Sequence, residues 1–453
     1  MTAADLLAVW HVVLAETLLL VAMIVAINGL DDLAIDLIWL FMPAAARAGR
    51  VKPTAQAGPP PAFAILIPAW DESAVIGAML RRLMAGLDWP EVRVFVGLYP
   101  NDPAGIAAVA TVADVRVQAV IGAAPGPTTK ADCLNGLWQA LCADEAARGR
   151  RFAGIVLHDA EDVVHGAELA VFARHLPGRA MVQLPVIPLV DEASPLISGH
   201  YIDEFAESHA KDLLVRQWLG AGLPSAGVGV VFCRERLGGI AAQRGGQVFD
   251  ADSLTEDYEL GQRLHADGGR GALVWEWRGG APVATAEHFP ADFRSAVKQK
   301  SRWLVGIALA GWDRLGWQGG AVQRWMLLRD RKAPLMALVT LAAYLLALLL
   351  ALDTALRMAW PAAARLPVVA GGPLVWLLWI NWLLLVWRLA MRAWFTLRLH
   401  GPVEALLATP RAAVGNLINA AAAMRAIRIY AAALRAGRQP RWDKTVHRFP
   451  GAA

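Results

Sequence analysis

Cysteine is scarce in this sequence of 453 residues, and its scarcity argues against a fold that is stabilised by disulfide bonds. Cys133, Cys142 and Cys233 are odd in number and lack the paired spacing of a zinc site. We interpret them as reduced, buried thiols of a cytosolic domain. Charge is scarce as well, because only 18% of the residues are charged. The net charge is +4 and no block of basic residues is present, so we expect no nucleic-acid partner.

Apolar residues are correspondingly abundant. They make up 57% of the chain, and the mean hydropathy is +0.41. The sequence has 19 Trp but only 5 Tyr, and Trp favours the membrane interface. This composition is typical of a protein that lies partly within a lipid bilayer.

The first long apolar run covers residues 6–30 and is long enough to span a bilayer. It lacks a basic leading segment and a small-residue cleavage pattern, which argues against a cleaved signal peptide. His11 and Glu16 lie inside this run. An ionisable residue within a span is either functional or close enough to the helix end to reach water. Residues 31–41 are acidic and apolar, and we expect them to lie along the membrane interface.

Two more apolar runs, residues 333–352 and 366–387, predict a second and a third span. Basic residues flank the cytosolic ends of membrane spans. They follow the first run, precede the second and follow the third: Arg47, Arg50, Lys52, Arg329, Arg331, Lys332, Arg388, Arg392 and Arg398. Arg357 and Arg365, between the second and third runs, oppose this orientation. We therefore place the N-terminus outside, and the C-terminus and the intervening domain in the cytosol.

Composition divides the chain into membrane and soluble segments. We expect a span and an interfacial segment (1–45), a linker (46–61), a soluble domain (62–317), two spans with a preceding interfacial segment (318–400), and an interfacial amphipathic helix with a tail (401–453). The helix of the last segment covers residues 403–434, for which a fourth span is the alternative.

Short apolar runs recur within the soluble domain and predict strands. They cover residues 63–67, 92–98, 115–121, 154–157 and 180–184. Helical stretches separate most of them, and such alternation predicts an α/β fold with a mainly parallel sheet.

Polar clusters follow three of these strands, at the edge where ligands bind to open parallel sheets. Asp71 and Glu72 follow the first strand, and Asp102 follows the second. Residues 158–165, which we call the acidic octet, follow the fourth strand and hold Asp159, Glu161 and Asp162. Crowded carboxylates need a compensating charge, and a hard divalent cation is one source. The alternatives are helix caps for Asp71 and Asp102, and a solvated turn for the octet.

Two further clusters come later in the domain. Thr255-Glu256-Asp257 opens a helical stretch. The alternative to a functional role is that Thr255 caps the helix. Gln299 and Arg302 share a helix face beside Trp303, just before the chain returns to the membrane. A surface arginine beside an interfacial tryptophan is the alternative for this second cluster.

Taken together, residues 62 to about 310 resemble the membrane-bound family-2 glycosyltransferases related to cellulose and hyaluronan synthases. The Gln-x-x-Arg-Trp pattern at 299–303 and the Thr-Glu-Asp at 255–257 are the most specific elements. A nearer resemblance is to the bacterial inner-membrane phage-adsorption glycosyltransferases, an exopolysaccharide branch. Residues 29–32, the acidic octet and residues 444–450 look like theirs. The resemblance implies a GT-A-like sheet with helices on both faces, flanked by transmembrane helices.

The resemblance also implies roles for individual residues. Asp71, Glu72 and Asp102 would contact the base and ribose of a nucleotide sugar, and Lys130 and Asp159 its diphosphate. Lys130 is otherwise a solvated lysine. Asp159 and Glu161 would hold Mg²⁺ or Mn²⁺, with Asp162 replacing or joining Glu161. Asp257 would be the general base, and the acceptor end would be lined by Glu256, Gln299, Arg302 and Trp303.

The implied reaction is inverting transfer of a sugar, UDP-linked by our expectation, to a growing glycan. One catalytic base is enough for inversion. Two alternatives stay open: transfer of a single sugar to a lipid carrier, and a non-catalytic membrane scaffold or phage-adsorption factor on a transferase fold. We expect the chain to be located in the bacterial inner membrane.

The expected partners are the nucleotide sugar, the glycan acceptor and the lipid bilayer. Because three spans are few to enclose a sugar channel, we also expect an outer-membrane or export partner protein, or a homo-oligomer. Some relatives carry a cyclic-di-GMP-sensing domain after the membrane part. The sequence ends at Ala453, so we expect any regulation to come from elsewhere.

Overall fold

The fold comes from a computed structural model, which describes residues 3–54, 58–359, 372–437 and 448–450. Its helices are α1 Ala3–Phe41, α2 Ala44–Arg47, α3 Ile76–Gly86, α4 Pro103–Ala110, α5 Lys130–Arg148, α6 Glu168–His175, α7 Gly199–Glu207, α8 Leu213–Trp218, α9 Arg234–Gln243, α10 Glu256–Ala266, α11 Phe293–Leu304, α12 Ala310–Leu315, α13 Ala321–Arg331, α14 Ala333–Ala359, α15 Pro373–His400 and α16 Pro402–Ala436. Two π-helical turns, Ser208–Asp212 and Val305–Leu309, continue α7 and α11.

The strands are β1 Phe63–Pro68, β2 Val92–Leu98, β3 Val117–Ile121, β4 Gly154–Leu157, β5 Val163–Val164, β6 Met181–Gln183, β7 Val186–Pro188, β8 Val230–Cys233, β9 Gly271–Leu273, β10 Trp277–Arg278, β11 Ala281–Pro282 and β12 Thr285–Glu287. Seven of them form the main sheet in the order β3-β2-β1-β4-β8-β6-β9. Only β8 runs antiparallel to its neighbours in this sheet. β5, β12 and β7 form a small second sheet.

The mainly parallel α/β sheet that the sequence predicted is confirmed. Each of the five predicted strands is present, with ends shifted by up to two residues. The antiparallel strand β8, in the centre of the sheet, was missed. Because β1 lies between β2 and β4 in parallel register, the carboxyl ends of these three strands meet at one edge. The polar clusters that follow them are therefore brought together, as expected.

Helices cover both faces of the main sheet. Alternate residues of β1 point to opposite faces, so that Ile65 joins one core and Leu66 the other. The first core receives α3 and α6. The second receives α5, α9 and α10, and also the C-terminal ends of α1 and α15. Phe449 packs at the edge of the first core, whereas residues 444–447 lie outside the described residues.

Helix α1 differs from its expected division into a span and an interfacial segment. It is one continuous helix, and its last turns enter the domain, where Ile35 and Trp39 are buried in the second core. Asp36 and Lys211 are each 1% exposed, and their Oδ1 and Nζ atoms are 2.5 Å apart. Asp31 pairs with Arg329 of α13 and with Lys332, which directly precedes α14. Asp31 and Asp36 are therefore each paired with basic residues that are distant in the sequence.

The expected linker is partly ordered against the domain. It contains α2, and the guanidinium of Arg47 lies 5.5 Å from the ring centroid of Trp39. Gly49 adopts a φ of +63° in contact with Trp275, where a Cβ would approach Trp275 Cδ1 to 2.4 Å. Glycine is the residue that tolerates both this backbone and this closeness.

Four helices in the described residues are long and apolar enough to cross a membrane: Val9–Phe41, Ala333–Ala355, Pro373–His400 and Pro402–Ala436. They agree with the three predicted spans, although residues 366–371 of the third, Arg365, and the side chain of Arg357 lie outside what the structure describes. His11 lies 3.5 Å from Asp353 of α14, and Glu16 is exposed on the helix surface.

Helix α16 also packs along the soluble domain. Arg411, 1% exposed, donates to the carbonyl of Pro195 at 2.6 Å and pairs with Asp203 of α7 at 3.5 Å. Further along, the side-chain oxygen of Asn419 accepts from Lys300 of α11 at 2.9 Å. Tyr430 reaches Asp313 of α12. Helix α16 therefore stays against the domain from Arg411 to Tyr430.

Candidate active site

One cavity of about 560 Å³ lies at the edge where β1, β2 and β4 end. Residues from four of the five predicted clusters line it, Asp102 being the exception, together with residues of α1 and α13. A cavity of this size fits a small organic ligand. Of the predicted site residues, those in its wall are Glu72, Lys130, Asp159, Glu161, Glu256, Asp257, Gln299, Arg302 and Trp303.

The acidic octet begins where β4 ends. Some of its carboxylates line the cavity, and one points into the core. Asp159 and Glu161 line the cavity. Lys130, the first residue of α5, places its Nζ 2.6 Å from Asp159 Oδ1. Thr129 and Asp132 cap this helix reciprocally, which fixes the position of Lys130. Burial lowers the pKa of Lys130, but the carboxylates of Asp159, Glu256 and Asp257 outweigh it and hold the pKa above its usual value.

His158 anchors the octet from within the core. The ring is fully buried, with Nδ1 2.9 Å from Asp162 and Nε2 3.1 Å from Glu168. The same Asp162 oxygen accepts the backbone N–H of Asp159 at 3.0 Å. Burial opposes the charge on His158, but Glu168 and Asp162 raise its pKa to about 10, so the ring is protonated at neutral pH. Asp162 is thus turned toward His158 and is not part of the cavity wall, unlike Glu161.

The turn after β1 separates its two acidic residues. Asp71 has a φ of +54°, and its side chain is exposed outside the cavity wall. Glu72, 8% exposed, lines the cavity. Asp102 caps α4: one oxygen accepts from the backbone N–H of Gly105 and the other from that of Asp71, each at 2.9 Å. The capping alternative therefore describes Asp102, which supports the turn without lining the cavity.

Neighbouring residues that the sequence did not single out form this end of the wall. Trp70 and Tyr99 lie edge to face with ring centroids 5.0 Å apart. The Tyr99 hydroxyl is 2.8 Å from that of Thr128, and all three residues line the cavity. Trp70 and Tyr99, and not Asp71 or Asp102, thus form this part of the cavity wall. The aromatic character of Trp70 and Tyr99, directly after strands β1 and β2, was the signal available in the sequence.

Glu256 and Asp257 face the acidic octet from the start of α10. The side chain of Thr255 makes no capping hydrogen bond, so the structure does not support a capping role for this residue. Asp257 Oδ1 accepts the backbone N–H of Tyr258 at 2.7 Å. Burial raises the pKa of Asp257, and Lys130 partly offsets the rise. Burial and the adjacent Asp257 raise the pKa of Glu256 to about 7.

Gly227 allows the backbone to approach Asp257 closely. Its φ is +78°, and a Cβ there would lie 2.2 Å from Asp257 Oδ2. A side chain at this position would push against the carboxylate, so the glycine keeps Asp257 in place.

Helix α11 carries Gln299, Arg302 and Trp303 into the cavity wall. Gln299 Oε1 is buried and accepts no hydrogen bond from the described residues. Trp303 lies edge to face with Tyr201 at 6.1 Å and tilted against Phe205 at 6.4 Å between ring centroids. Lys300, on the same helix, donates to Glu204 at 2.6 Å and so joins α11 to α7.

The π-helical turn that follows α11 packs against Thr255, the residue before α10. Gly306 lies in this turn, where a Cβ would approach the Cγ2 and Oγ1 atoms of Thr255 to 2.5 Å. Such π-helical turns are common at functional sites. Here the turn lets α11 and α10 meet without a side chain between them.

Replacing Gly306 by alanine is therefore expected to push Thr255 and its neighbours Glu256 and Asp257 out of place. We expect a loss of about 1–3 kcal/mol in stability, because overpacked cores distort their surroundings. The matched control is Gly136→Ala in α5, where an added Cβ meets nothing within 4 Å. That change should stabilise by about 0.5–1 kcal/mol. Thermal unfolding of the two purified variants in detergent compares them, and equal midpoints would contradict this account of Gly306.

The donor atoms at this end of the cavity fit a hard divalent cation. The described residues contain no cluster of three or more His, Cys, Asp or Glu side chains arranged to hold a metal alone. Mg²⁺, however, is commonly bound by one or two carboxylates together with substrate phosphates. Burial raises the pKa of Glu287 well above its usual value, and the charges of Asp162, Glu161 and Asp159 add to the rise. This excess of negative charge suits an additional cation, and Glu287 is a member of the cluster that the sequence did not reveal.

The sheet order and the carboxylate-lined cavity at its carboxyl edge define a GT-A glycosyltransferase. Residues 154–410, more than half of the chain, match the sequence model of glycosyl transferase family group 2. The chain belongs to this family, as the resemblance implied, and it is a glycosyltransferase.

Relatives and solved structures agree with this assignment. The chain is 36% identical over 481 residues to bacteriophage adsorption protein B of Escherichia coli K12 and to bacteriophage N4 adsorption protein B of Escherichia coli O157:H7. These matches cover 98% of this chain but only 64% of each relative, so the chain spans less than two thirds of their length.

The mannosyltransferase PcManGT from Pyrobaculum calidifontis, solved with GDP-Man and Mn²⁺, has a TM-score of 0.50 and 18% identity. The match covers 88% of this chain and 99% of that one. It confirms the GT-A-like fold.

Proposed function

We propose that this chain transfers a sugar from a UDP-sugar to a growing glycan, with inversion, as a membrane exopolysaccharide synthase. The observation that carries the proposal is the shared cavity of Lys130, Asp159, Glu161 and Asp257. The lysine and the two carboxylates proposed to hold a metal thus share the cavity with the partly buried carboxylate of Asp257. The relatives' names support a role at the cell envelope.

The diphosphate of the donor is proposed to lie against Lys130, Asp159 and Glu161. A divalent cation bound by Asp159 and Glu161, Mg²⁺ or Mn²⁺, would offset the charge that builds on the leaving diphosphate. Lys130 supplies a fixed positive charge at the same place, since its pKa is held high. The base and ribose are proposed to lie against Glu72, Trp70 and Tyr99. Asp102 holds the turn beside that wall by accepting the backbone N–H of Asp71.

Asp257 is the proposed general base. It accepts the proton of the acceptor hydroxyl while that oxygen attacks the anomeric carbon and the bond to the diphosphate breaks. Its raised pKa brings it nearer to neutral pH, where a general base is most effective. Gln299, Arg302, Trp303 and Glu256 are proposed to position the acceptor beside it. A single base on one side of the sugar is sufficient for inversion.

Incubation of membranes with a panel of labelled nucleotide sugars, with Mg²⁺ or Mn²⁺, tests the proposed reaction. Turnover of one UDP-sugar into glycan is the expected result. Product on a lipid with a single added sugar would favour the lipid-carrier alternative, and no turnover of any donor would contradict the proposed function.

Metal removal should stop this reaction, and the carboxylates of the octet should differ in their effect. EDTA is expected to abolish turnover and Mn²⁺ or Mg²⁺ to restore it. Glu161→Gln should raise the concentration of metal needed by about 10–100-fold, the range seen when a metal site loses a supporting group. Asp162→Asn should chiefly lower the thermal unfolding midpoint, because Asp162 faces His158. The reverse pattern would assign the second metal position to Asp162.

We further propose that the enzyme lies in the bacterial inner membrane with its catalytic domain in the cytosol and its N-terminus outside. Basic residues at the ends of α1, α14 and α15 support this orientation. The contacts of α16 with α7, α11 and α12 support an interfacial position for that helix. Export of a polymer would then depend on a partner protein or on oligomers.

A further inference from the structure

The first turn of α10 carries Glu256 and Asp257 but begins without a side-chain cap in the described residues. The first turn of a helix leaves backbone N–H groups without partners inside the helix, and a missing cap makes it less stable. Asp257 accepts the backbone N–H of Tyr258 and is thereby fixed relative to that residue. Gly227 limits the movement of Asp257 on one side. The position of the Asp257 carboxylate therefore also depends on what holds Tyr258.

A buried hydrogen bond joins Tyr258 to helix α13. Tyr258 is 4% exposed, and its hydroxyl donates to Asp330 Oδ2 at 2.7 Å. Arg216 Nη1 donates to both oxygens of Asp330 at 2.9 Å, so that this carboxylate is held by a second partner. A hydrogen bond between a hydroxyl and a carboxylate is stronger than one between two neutral groups, because the acceptor is charged. Asp330 is therefore a firm anchor for Tyr258.

A second hydrogen bond joins the same two helices. Gln323 Nε2 donates to Gln262 Oε1 at 2.8 Å, and both side chains are buried. Gln262 lies one turn after Tyr258 on α10, and Gln323 lies two turns before Asp330 on α13, so the members of each pair share a helix face. The two hydrogen bonds together fix both the position and the rotation of α10 against α13.

Helix α13 is also held by α1. Trp325 Nε1 donates to Asp31 at 2.6 Å, and Arg329 Nη2 donates to Asp32 at 2.9 Å. Trp325 and Arg329 are one turn apart, and at 3.6 residues per turn they lie on the other side of α13 from Asp330. The helix is therefore bound on one side to α1 and on the other to α10, and Asp330 has a fixed position between them.

We propose that Asp330 is a positioning residue for the transfer reaction, and that it holds the general base Asp257 in place through Tyr258. The inference rests on the proposed function and adds to it a residue from α13, outside the predicted motifs. Neither Tyr258 nor Asp330 exchanges a proton with the substrates. Without their hydrogen bond the first turn of α10 could shift, and a displacement of about 1 Å near the reacting groups can cost about 10²-fold in rate.

Tyr258→Phe removes only the hydroxyl and tests this role in the purified full-length chain, with the UDP-sugar that it turns over. We expect kcat to fall by about 10–100-fold, while the KM for the UDP-sugar stays within about twofold. Tyr430→Phe is the matched control, because Tyr430 also donates to an aspartate of another helix, Asp313 of α12, but lies outside the cavity wall. Its kcat should stay close to that of the wild type.

Changes at Asp330 show whether the two residues act through one hydrogen bond. Asp330→Ala should lower kcat as Tyr258→Phe does. The double variant should be no slower than Asp330→Ala alone, because residues that act through a shared contact are not additive. Asp330→Asn keeps an oxygen that can accept from the Tyr258 hydroxyl, and it should recover a large part of the rate that Asp330→Ala loses.

Three results would overturn the positioning role and leave the glycosyltransferase activity intact: wild-type kcat in Tyr258→Phe, equal losses in Tyr258→Phe and Tyr430→Phe, or losses that multiply in the double variant. Tyr258→Phe is sufficient by itself if Asp330→Ala does not fold. Absence of turnover by the wild-type chain with every donor would overturn the proposed function and the positioning role together.

Discussion

Asp257→Asn is expected to lower the rate of glycan formation by about 10²–10⁴-fold, the usual contribution of a positioned general base. Asparagine keeps the shape of the side chain, and its oxygen can still accept the backbone N–H of Tyr258, which Asp257 accepts at 2.7 Å. Folding and donor binding should therefore change little. The measurement is turnover of labelled UDP-sugar by the purified variant, together with its KM for the donor.

Asp252→Asn is a suitable control, because Asp252 is an exposed carboxylate five residues earlier, outside the cavity wall. The pH profile gives an independent check. Because burial raises the pKa of Asp257 and only the unprotonated carboxylate accepts a proton, wild-type turnover should rise as the pH rises through that pKa. The Asn variant should lose this limb of the profile. A variant with wild-type activity would remove Asp257 from the mechanism.

His158→Leu is expected to destabilise the domain by about 3–5 kcal/mol, because it leaves Asp162 and Glu168 as buried carboxylates without their cation. For a domain of this size the thermal midpoint should fall by about 6–20 °C. The acidic octet should also become mobile, since Asp162 no longer holds the N–H of Asp159 in a fixed position. Thermal unfolding in detergent measures the effect.

His165→Gln is the matched control within the same octet. His165 is only partly buried, and its Nδ1 accepts the backbone N–H of Ala167 at 3.1 Å, a bond that a glutamine oxygen can replace. We expect a change in stability below about 0.5 kcal/mol, as for most surface substitutions. A triple change of His158, Asp162 and Glu168 to apolar residues should recover part of the stability lost by His158→Leu. Similar midpoints for His158→Leu and His165→Gln would show that the buried pairs contribute little.

Local sequence patterns predicted the sheet well, because each strand of the parallel core is a short apolar run between polar turns. β8 was missed because its apolar run is short and is preceded by the glycines Gly227 and Gly229, which indicate a turn. The same reasoning placed Glu72, Asp159 and Glu161 near one another, since parallel strands end at a common edge. Lys130 and Asp257 were assigned to the site only by the family resemblance.

Tertiary contacts decided what the sequence alone could not. Asp71 and Asp102 follow strands as ligand residues do, but a left-handed turn directs Asp71 outward and Asp102 is used as a cap. Glu287 is far from the acidic octet in sequence and reaches it only through the pairing of β12 with β5. Likewise, the acidity of residues 31–41 suggested an interface, whereas Asp36 is neutralised by Lys211, a partner that no local pattern reveals.

The burial of α1 and α15 within the same core has a consequence for how the chain is made. Trp39 and Phe395 lie edge to face with ring centroids 5.0 Å apart, although 356 positions separate them in the sequence. The segment that forms α1 is therefore made long before the segment that forms α15, and this core cannot close until both are present. Until α15 is synthesised, the catalytic domain has an unfilled apolar surface. Folding of the catalytic domain is thereby tied to synthesis of a helix that lies beyond it in the sequence.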